Sequence, residues 1–244
     1  MKKRLHFLDA LRGFTLLNMI AFHGLWNLVY LFGMKADWYT GTPGYLWQQW
    51  ICWTFILLSG FCWSFSRNHL KRGLLVFGGG LLVTAATCIA MPDNRILFGV
   101  LTCIGSCMLL MILLEKVLKV VPAGLGLAVS FGLFLLLRNV PDRSLGFEAL
   151  VICPLPATLY RNLLTAYLGF PAPDFFSTDY FPLIPWLFLF VTGYFLFRLL
   201  NEKGLNKKLF ARGNIPVLNW LGRHSLIIYL LHQPILYGLC FLFF

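Results

Sequence analysis

Charged residues are scarce in this chain of 244 residues: they make up 12% of it, against about 25% in a typical soluble domain. Acidic residues are the scarcest, because only nine Asp and Glu accompany twenty Lys and Arg, which leaves a formal net charge of +11. Hydrophobic residues, in contrast, make up 59% of the chain. This composition excludes a soluble globule, a disordered tail and a nucleic-acid-binding domain, and it indicates a membrane protein. The positive charge then reflects the Lys and Arg bias of cytoplasmic loops and an attraction to anionic lipids.

Apolar runs near the length needed to cross a bilayer, about 20 residues, predict the fold. They indicate an all-α integral membrane protein, with one domain over residues 1–244 that forms a single bundle of about seven transmembrane helices. The predicted spans are 14–33, 45–66, 73–90, 96–114, 120–137, 180–200 and 225–244. The chain has seven Cys, and six of them fall inside these spans, so a disulfide framework is excluded.

Lys and Arg divide unevenly between alternate loops. If the N-terminus is cytoplasmic, fifteen of the twenty lie on the cytoplasmic side, whereas six of the nine acidic residues lie outside. The positive-inside rule therefore predicts a cytoplasmic N-terminus and a cytoplasmic loop at 203–212, and seven spans place the C-terminus outside. We expect a multi-pass protein of the cell (plasma) membrane.

The connection at 138–179 is the long one, with 42 residues and five Pro on the predicted outer side. Within it, residues 157–170 have a spacing of Leu, Tyr and Arg that suits a helix lying along the surface. A loop of this length in a compact bundle is usually functional, although a disordered or packing loop is the alternative.

Two histidines lie inside predicted spans, where ionisable residues are costly and often functional. His23 lies nine residues past the start of the first span and His232 seven past the start of the last, or about 13 Å and 10 Å deep. Since both helices start from the cytoplasmic side, the two side chains can meet near the midplane. A neutral imidazole can serve as a general base. The alternative is a hydrogen-bonded packing role, and a metal site is not expected because no third ligand shares their depth.

Arg12 precedes His23 by eleven residues, which is about three turns, so both lie on one stripe of one helix about 16 Å apart. That distance is close to the reach of an extended pantetheine arm. An anion bound by Arg12 at the inner surface would therefore place a thioester near His23. The alternative is an ion pair between Arg12 and Asp9 at i,i+3.

A basic turn follows the second span and contains Arg67, Lys71 and Arg72. Guanidinium groups suit phosphate because of their bidentate geometry, so this turn is a candidate phosphate site. The positive-inside rule explains the same cluster without any ligand.

At the outer end of the sixth span, Asp179, Tyr180 and Trp186 combine a carboxylate, a phenol and an indole, which are natural sugar-binding groups. The preceding Ser177 and Thr178, with Asp179 itself, are also good N-cap residues for that span. An acceptor site and a helix cap are both open.

Four stretches carry a family resemblance: LDALRGFTLLNMIAFH, FILLSGFCWSFSR, RILFGVLTCIG with DYFPLIPWLFLFVTGYF, and LGRHSLIIYLLHQP. Together they resemble bacterial proteins with the heparan-alpha-glucosaminide N-acetyltransferase catalytic domain, and the first is similar to the wider acyltransferase-3 group. The resemblance implies that His23 is catalytic and that Arg12, Arg67 and Arg72 hold coenzyme A. Thr102 stands where many bacterial relatives carry His.

The residues and the resemblance together predict a membrane acetyltransferase that moves an acetyl group from cytoplasmic acetyl-CoA to an amine or hydroxyl of an extracytoplasmic sugar or glycan. His23 would carry the chemistry, with His232 as the second catalytic candidate. A transporter and a non-catalytic assembly or lipid-binding membrane protein are the alternatives. The expected partners are coenzyme A, the acceptor and the bilayer, with no nucleic acid and no metal. The oligomeric state stays open, with a homodimer as one alternative.

Overall fold

The computed structural model describes residues 6–205 and 214–243, and it is 74% helix and 4% strand. This confirms the predicted all-α fold class. Most of the loop predicted to be cytoplasmic, at 203–212, lies outside the described residues. The helices are α1 (His6–Trp26), α2 (Asp37–Thr40), α3 (Thr42–Phe61), α4 (His69–Ala90), α5 (Val100–Leu118), α6 (Ala123–Leu136), α7 (Leu163–Leu168), α8 (Leu183–Glu202), α9 (Pro216–Arg223) and α10 (Ser225–Phe243).

Within the described residues, six segments are long and apolar enough to cross a membrane: His6–Leu31, His69–Ala90, Val100–Leu118, Ala123–Asp142, Leu183–Glu202 and Ser225–Phe243. The predicted span at 45–66 corresponds to α3, which has 20 residues but is absent from this set. Gln48 and Gln49 lower the hydropathy of α3, and its several tryptophans add little to it.

The chain divides into two compact units. We call them the terminal unit, made of the described residues of Met1–Leu58 and Lys203–Phe244, and the central unit, Ser59–Glu202. The single domain over residues 1–244 stays a prediction.

In the terminal unit, α1 and α3 run antiparallel. The Trp47 indole donates a hydrogen bond to Asn18 Oδ1 at 3.0 Å, and the Trp50 ring meets Phe14 edge-on at 5.8 Å, one turn back along α1. Met19 and Ile51 are buried between these contacts. As the residue number rises along α3, the partner on α1 has a lower number, so the two helices run in opposite directions.

The helices α1 and α10 run parallel. His232 contacts His23, and the rings of Phe241 and Phe32 meet further along both helices at 6.2 Å. Two parallel helices that both cross a membrane require an odd number of crossings between them. Since α4, α5, α6 and α8 supply four, the parity favours α3 as the fifth crossing and thus a total of seven spans.

Glycines allow α9 to lie directly against α1. A Cβ at Gly13 would come within 2.0 Å of the Leu218 carbonyl oxygen, and one at Gly222 within 1.9 Å of the Asp9 carbonyl oxygen. Small residues commonly permit such close backbone approaches between membrane helices. The amphipathic α9 is thereby fixed next to the start of α10.

The central unit contains two helix hairpins, α4 with α5 and α6 with α8. In the second, Thr192 of α8 donates a hydrogen bond to Ser130 of α6 at 3.1 Å. The long connection between these two helices, which is predicted to lie outside, contains an antiparallel hairpin of β1 (Ser144–Phe147) and β2 (Leu150–Pro154) that the sequence analysis did not predict.

The surface helix expected at 157–170 is only partly present. One turn of 3₁₀ helix covers Ala157–Leu159, and α7 covers Leu163–Leu168. Asn162 separates them because it forms a capping box with Thr165, which starts a new helix there.

The topology leads to a first prediction. We expect a membrane-impermeant maleimide to label the exposed Cys153 in intact cells, because the outer connection carries it. In a Cys153→Ser background, a Cys placed at Lys207 should react only after permeabilisation, because the positive-inside rule places it in the cytoplasm.

Two further positions test whether α3 crosses the membrane. Lys35→Cys precedes α3 and should be labelled from outside, whereas Ser66→Cys follows it and should be protected in intact cells. Labelling of both positions from outside would contradict seven spans. Labelling of a Cys at position 207 in intact cells would show that the predicted orientation is reversed.

Candidate active site

The two intramembrane histidines lie in direct contact. His23 Nδ1 lies 2.6 Å from His232 Nε2, and the two rings stack with centroids 4.9 Å apart. His232 is 7% exposed. The sequence predicted that the two histidines lie at a similar depth, and in the structure their side chains form a hydrogen bond. The parallel packing of α1 and α10 brings the two rings together.

The partners of His232 assign the protons in this pair. His232 Nδ1 is hydrogen-bonded to the carbonyl of Tyr229, and a carbonyl only accepts, so this nitrogen carries the hydrogen. In a neutral ring the other nitrogen then accepts, which makes His23 Nδ1 the donor. His23 Nε2 is left unprotonated, and this is the state required of a general base or a nucleophile.

Two amide side chains that the sequence analysis missed lie beside the histidines. Gln233 Nε2 donates to Asn27 Oδ1 at 2.8 Å, and Asn27 is fully buried. The spacing contained the signal, because Asn27 follows His23 by four residues and Gln233 is the neighbour of His232.

Arg12 forms the ion pair that was the alternative interpretation. Its Nη1 lies 3.2 Å from Asp9 Oδ1, and its side chain is 17% exposed. Thr15 and Met19, which lie between Arg12 and His23 on the same stripe, are buried. A guanidinium has five N–H donors, so the ion pair and an anion can share it.

The basic turn in the central unit is built around the start of α4. Asn68 caps the helix by accepting a hydrogen bond from the Lys71 backbone N–H at 2.9 Å. Lys71 and Arg72 therefore lie in the first helical turn, and Arg67 precedes the cap. The positive end of the helix dipole adds to their charges, an arrangement that favours an anion.

A narrow cleft adjoins this turn and contains two side chains that sequence reasoning missed. The rings of Trp63 and His69 stack there at 3.8 Å, and Arg72 forms part of the lining. Trp63 Nε1 and His69 Nδ1 are buried and have no hydrogen-bond partner among the described residues. The cleft thus combines a cation with two polar nitrogens that lack partners.

At the end of the bundle predicted to lie outside, Asp179 caps a different helix from the one expected. Its Oδ2 accepts a hydrogen bond from the Val100 backbone N–H at 3.4 Å, at the start of α5, and Ser177 bonds both backbone groups of Leu97. The predicted cap of the sixth span is therefore corrected, since that helix begins later, at Leu183. Burial raises the pKa of the Asp179 carboxyl to about 6, against the opposing effect of its hydrogen bond.

Tyr180 and Trp186 are engaged in packing. The Tyr180 hydroxyl donates to the Ala166 carbonyl oxygen, and burial raises the pKa of this phenol. Trp186 is 3% exposed, and the Arg138 guanidinium lies 5.1 Å from its ring centroid. In this conformation Trp186 does not form part of the open outer mouth that the sequence analysis expected.

The described residues differ in what they offer to a metal ion and to an apolar ligand. In the described ranges 6–205 and 214–243, no group of three His, Cys, Asp or Glu could hold a metal ion. An apolar groove of about 440 Å³ runs between α5, α6 and α8, and its lining contains no ionisable side chain. Of the places described above, the His23–His232 pair is the one in which two imidazoles from different candidate membrane helices are hydrogen-bonded to each other.

Comparison with known proteins identifies the family of this chain. No curated protein and no solved structure matches the chain. One family model matches residues 4–234 and so extends over both compact units. The chain belongs to the heparan-alpha-glucosaminide N-acetyltransferase catalytic family, and it is a membrane acetyltransferase.

Proposed function

We propose that this acetyltransferase takes an acetyl group from cytoplasmic acetyl-CoA and transfers it to an amine or hydroxyl of an extracytoplasmic sugar or glycan at the plasma membrane. The observation that carries the proposal is the Tyr229–His232–His23 hydrogen-bond series, which leaves His23 Nε2 unprotonated inside a membrane helix. The family membership supports an acetyl-CoA donor.

His23 can act in two ways that use the same nitrogen. As a general base, Nε2 takes the proton of the acceptor while the acceptor attacks the thioester carbonyl and the coenzyme A thiolate leaves. As a nucleophile, Nε2 itself attacks, the C–S bond breaks, and the resulting acetyl-imidazole passes its acetyl group to the acceptor. In both routes positive charge develops on His23, and His232 Nε2 stabilises it by accepting from Nδ1.

Each compact unit supplies its own candidate phosphate contacts. In the terminal unit, Arg12 lies about 16 Å before His23 along α1, a length that the pantetheine arm can cover. In the central unit, Arg67, Lys71 and Arg72 offer charge-assisted hydrogen bonds to phosphate oxygens. Arg72 also forms part of the lining of the adjoining cleft.

On the outer side, Asp179 is the candidate for binding the acceptor. Its carboxylate is partly buried and uses one oxygen at the start of α5, so the other can accept a hydrogen bond from a sugar amine or hydroxyl. Tyr180, the next residue, would form part of the wall of the acceptor site. Trp186 is buried and would act on this site only through packing.

A lipid-binding function is the second candidate, and the apolar groove of about 440 Å³ between α5, α6 and α8 favours it. The groove suits a lipid chain but carries no group for acyl transfer. Release of free coenzyme A from acetyl-CoA by the purified protein separates the two functions, since a purely lipid-binding protein would release none.

The catalytic assignment predicts a specific kinetic loss. His23→Ala should lower acetyl transfer at least about 10²-fold, because a general base typically contributes 10²–10⁴-fold. The loss should fall on kcat, with coenzyme A binding retained, because the phosphate contacts are unchanged. Steady-state release of coenzyme A with a soluble amino sugar measures it.

His224→Ala is the matched control, because this histidine is exposed at the junction of α9 and α10. It should keep the activity of the parent, and His232→Ala should lose less than His23→Ala because His232 acts through His23. Turnover of His23→Ala within a few-fold of the parent would reduce His23 to a packing residue.

The phosphate site predicts a binding defect without a folding defect. Replacing Arg67 or Arg72 by Ala should weaken coenzyme A binding by about 1–3 kcal/mol, the range for charge-assisted hydrogen bonds. Titration calorimetry on detergent-purified protein measures this change. Arg161→Ala, an exposed change in the outer connection, should leave the affinity unaltered. If all variants bind coenzyme A with the affinity of the parent, the positive-inside rule alone explains the basic turn.

The raised pKa of Asp179 predicts a pH effect on the acceptor. Only the ionised carboxylate is a strong acceptor of hydrogen bonds, so the KM for the acceptor should fall as the pH rises through about 6. Asp179→Asn keeps the shape but cannot ionise, and its KM should be flat over this range. An unchanged pH profile in the Asn variant would remove Asp179 from the acceptor site.

A further inference from the structure

Asn27 presents an unused hydrogen-bond donor deep in the terminal unit. The residue is fully buried, and its Nδ2 has no partner within 6–205 and 214–243. Gln233 Oε1 is also buried without a partner among these residues. A buried polar group without a partner loses its hydrogen bonds to water and gains none in return, so the pair calls for an explanation.

One unpaired donor group and one unpaired acceptor remain whichever way the N and O atoms of the two amides are assigned. One hydrogen bond joins the side chains, from Gln233 Nε2 to Asn27 Oδ1. Exchanging N and O in both amides reverses that bond and again leaves one donor and one acceptor. The pair therefore offers one free NH₂ group in either assignment, and in the structure this group belongs to Asn27.

The position of this donor relates it to the histidines. Asn27 lies four residues after His23, about 6 Å further along the helix on the same face. The backbone also changes here, because residues Asn27–Leu31 form a π-helix. Such π segments occur frequently at functional sites.

We propose that Asn27, held by Gln233, binds the acetyl carbonyl oxygen and stabilises the negative charge that this oxygen acquires; this rests on the proposed function. A donor that enters from the Arg12 end places its thioester at His23, and Asn27 lies beyond that point. When the nucleophile bonds to the carbonyl carbon, the C=O electron pair moves to oxygen, which accepts the Asn27 N–H. Collapse restores C=O, breaks the C–S bond and releases the thiolate, while His23 Nε2, acting as the general base, holds the proton taken from the attacking acceptor.

The remaining oxygen of the pair has a role in the same step. Gln233 Oε1 can accept a hydrogen bond from an N–H or O–H of the acceptor and so orient its lone pair toward the carbonyl carbon. Both unsatisfied atoms thus gain partners only when the two substrates are bound. Preorganised donors of this kind are the usual means of stabilising a tetrahedral intermediate.

The test replaces Asn27 by Leu and, separately, by Asp, which keeps the shape but removes the N–H. Each change should lower kcat about 10²–10³-fold, the typical loss for one such donor, with the KM for acetyl-CoA little altered. Asn18→Leu is the control on the same helix, because the Asn18 amide is committed to the Phe14 carbonyl and to Trp47. It should stay within a few-fold of the parent.

A measurement without turnover separates this proposal from the proposed function. The probe is a ¹³C-labelled ketone analogue of acetyl-CoA in which CH₂ replaces the sulfur, and infrared spectroscopy reads its bound carbonyl. The stretching frequency should be lower in the parent and in Asn18→Leu than in either Asn27 variant.

Each outcome has a distinct meaning. Equal frequencies and full turnover in the Asn27 variants would overturn the role of Asn27 while acetyl transfer stands. A parent protein that neither binds the analogue nor releases coenzyme A would overturn the proposed function and this inference with it. A lost frequency shift together with a lowered kcat supports the assignment.

Discussion

The membrane imposes one constraint on which the rest of this structure depends: a polar group in a span must find its partner inside the protein, because the lipid core offers no water. His23 and His232 meet this constraint by bonding to each other, and the Tyr229 carbonyl completes the series. The contact is available only because α1 and α10 run parallel. The same parallel packing favours seven crossings, with α3 as the predicted additional span despite its two glutamines.

Close backbone contact is the second means by which the terminal unit is held together. Helices gain little from hydrophobic association in lipid, so they depend on van der Waals contact and on small residues that allow it. Gly13 and Gly222 let α9 touch α1, and this contact holds the start of α10 next to the part of α1 that contains Arg12. Arg12, a candidate phosphate contact, and His23, the candidate base, lie on that same helix α1.

The central unit shows how the same polar residues can serve a purpose different from the one that their local sequence indicates. Ser177 and Asp179 precede α8 and have the composition of its cap, yet they bond Leu97 and Val100 at the start of α5. A long connection has the freedom to reach another helix, and the backbone N–H groups at the start of α5 lacked acceptors. The burial that accompanies this contact also raises the pKa of Asp179.

The sequence by itself determined the membrane class and six of the spans, and it marked His23 and His232 as candidates, because apolar length and rare intramembrane polar residues are local signals. The ion pair of Arg12 with Asp9 was likewise readable from i,i+3 spacing. The tertiary structure decided what depends on contacts between distant segments: the histidine hydrogen bond, the partnership of Asn27 with Gln233 across 206 positions, and the burial of Trp186. Spacing along one helix follows from the geometry of the helix, whereas the identity of a partner on another helix follows only from how the helices pack.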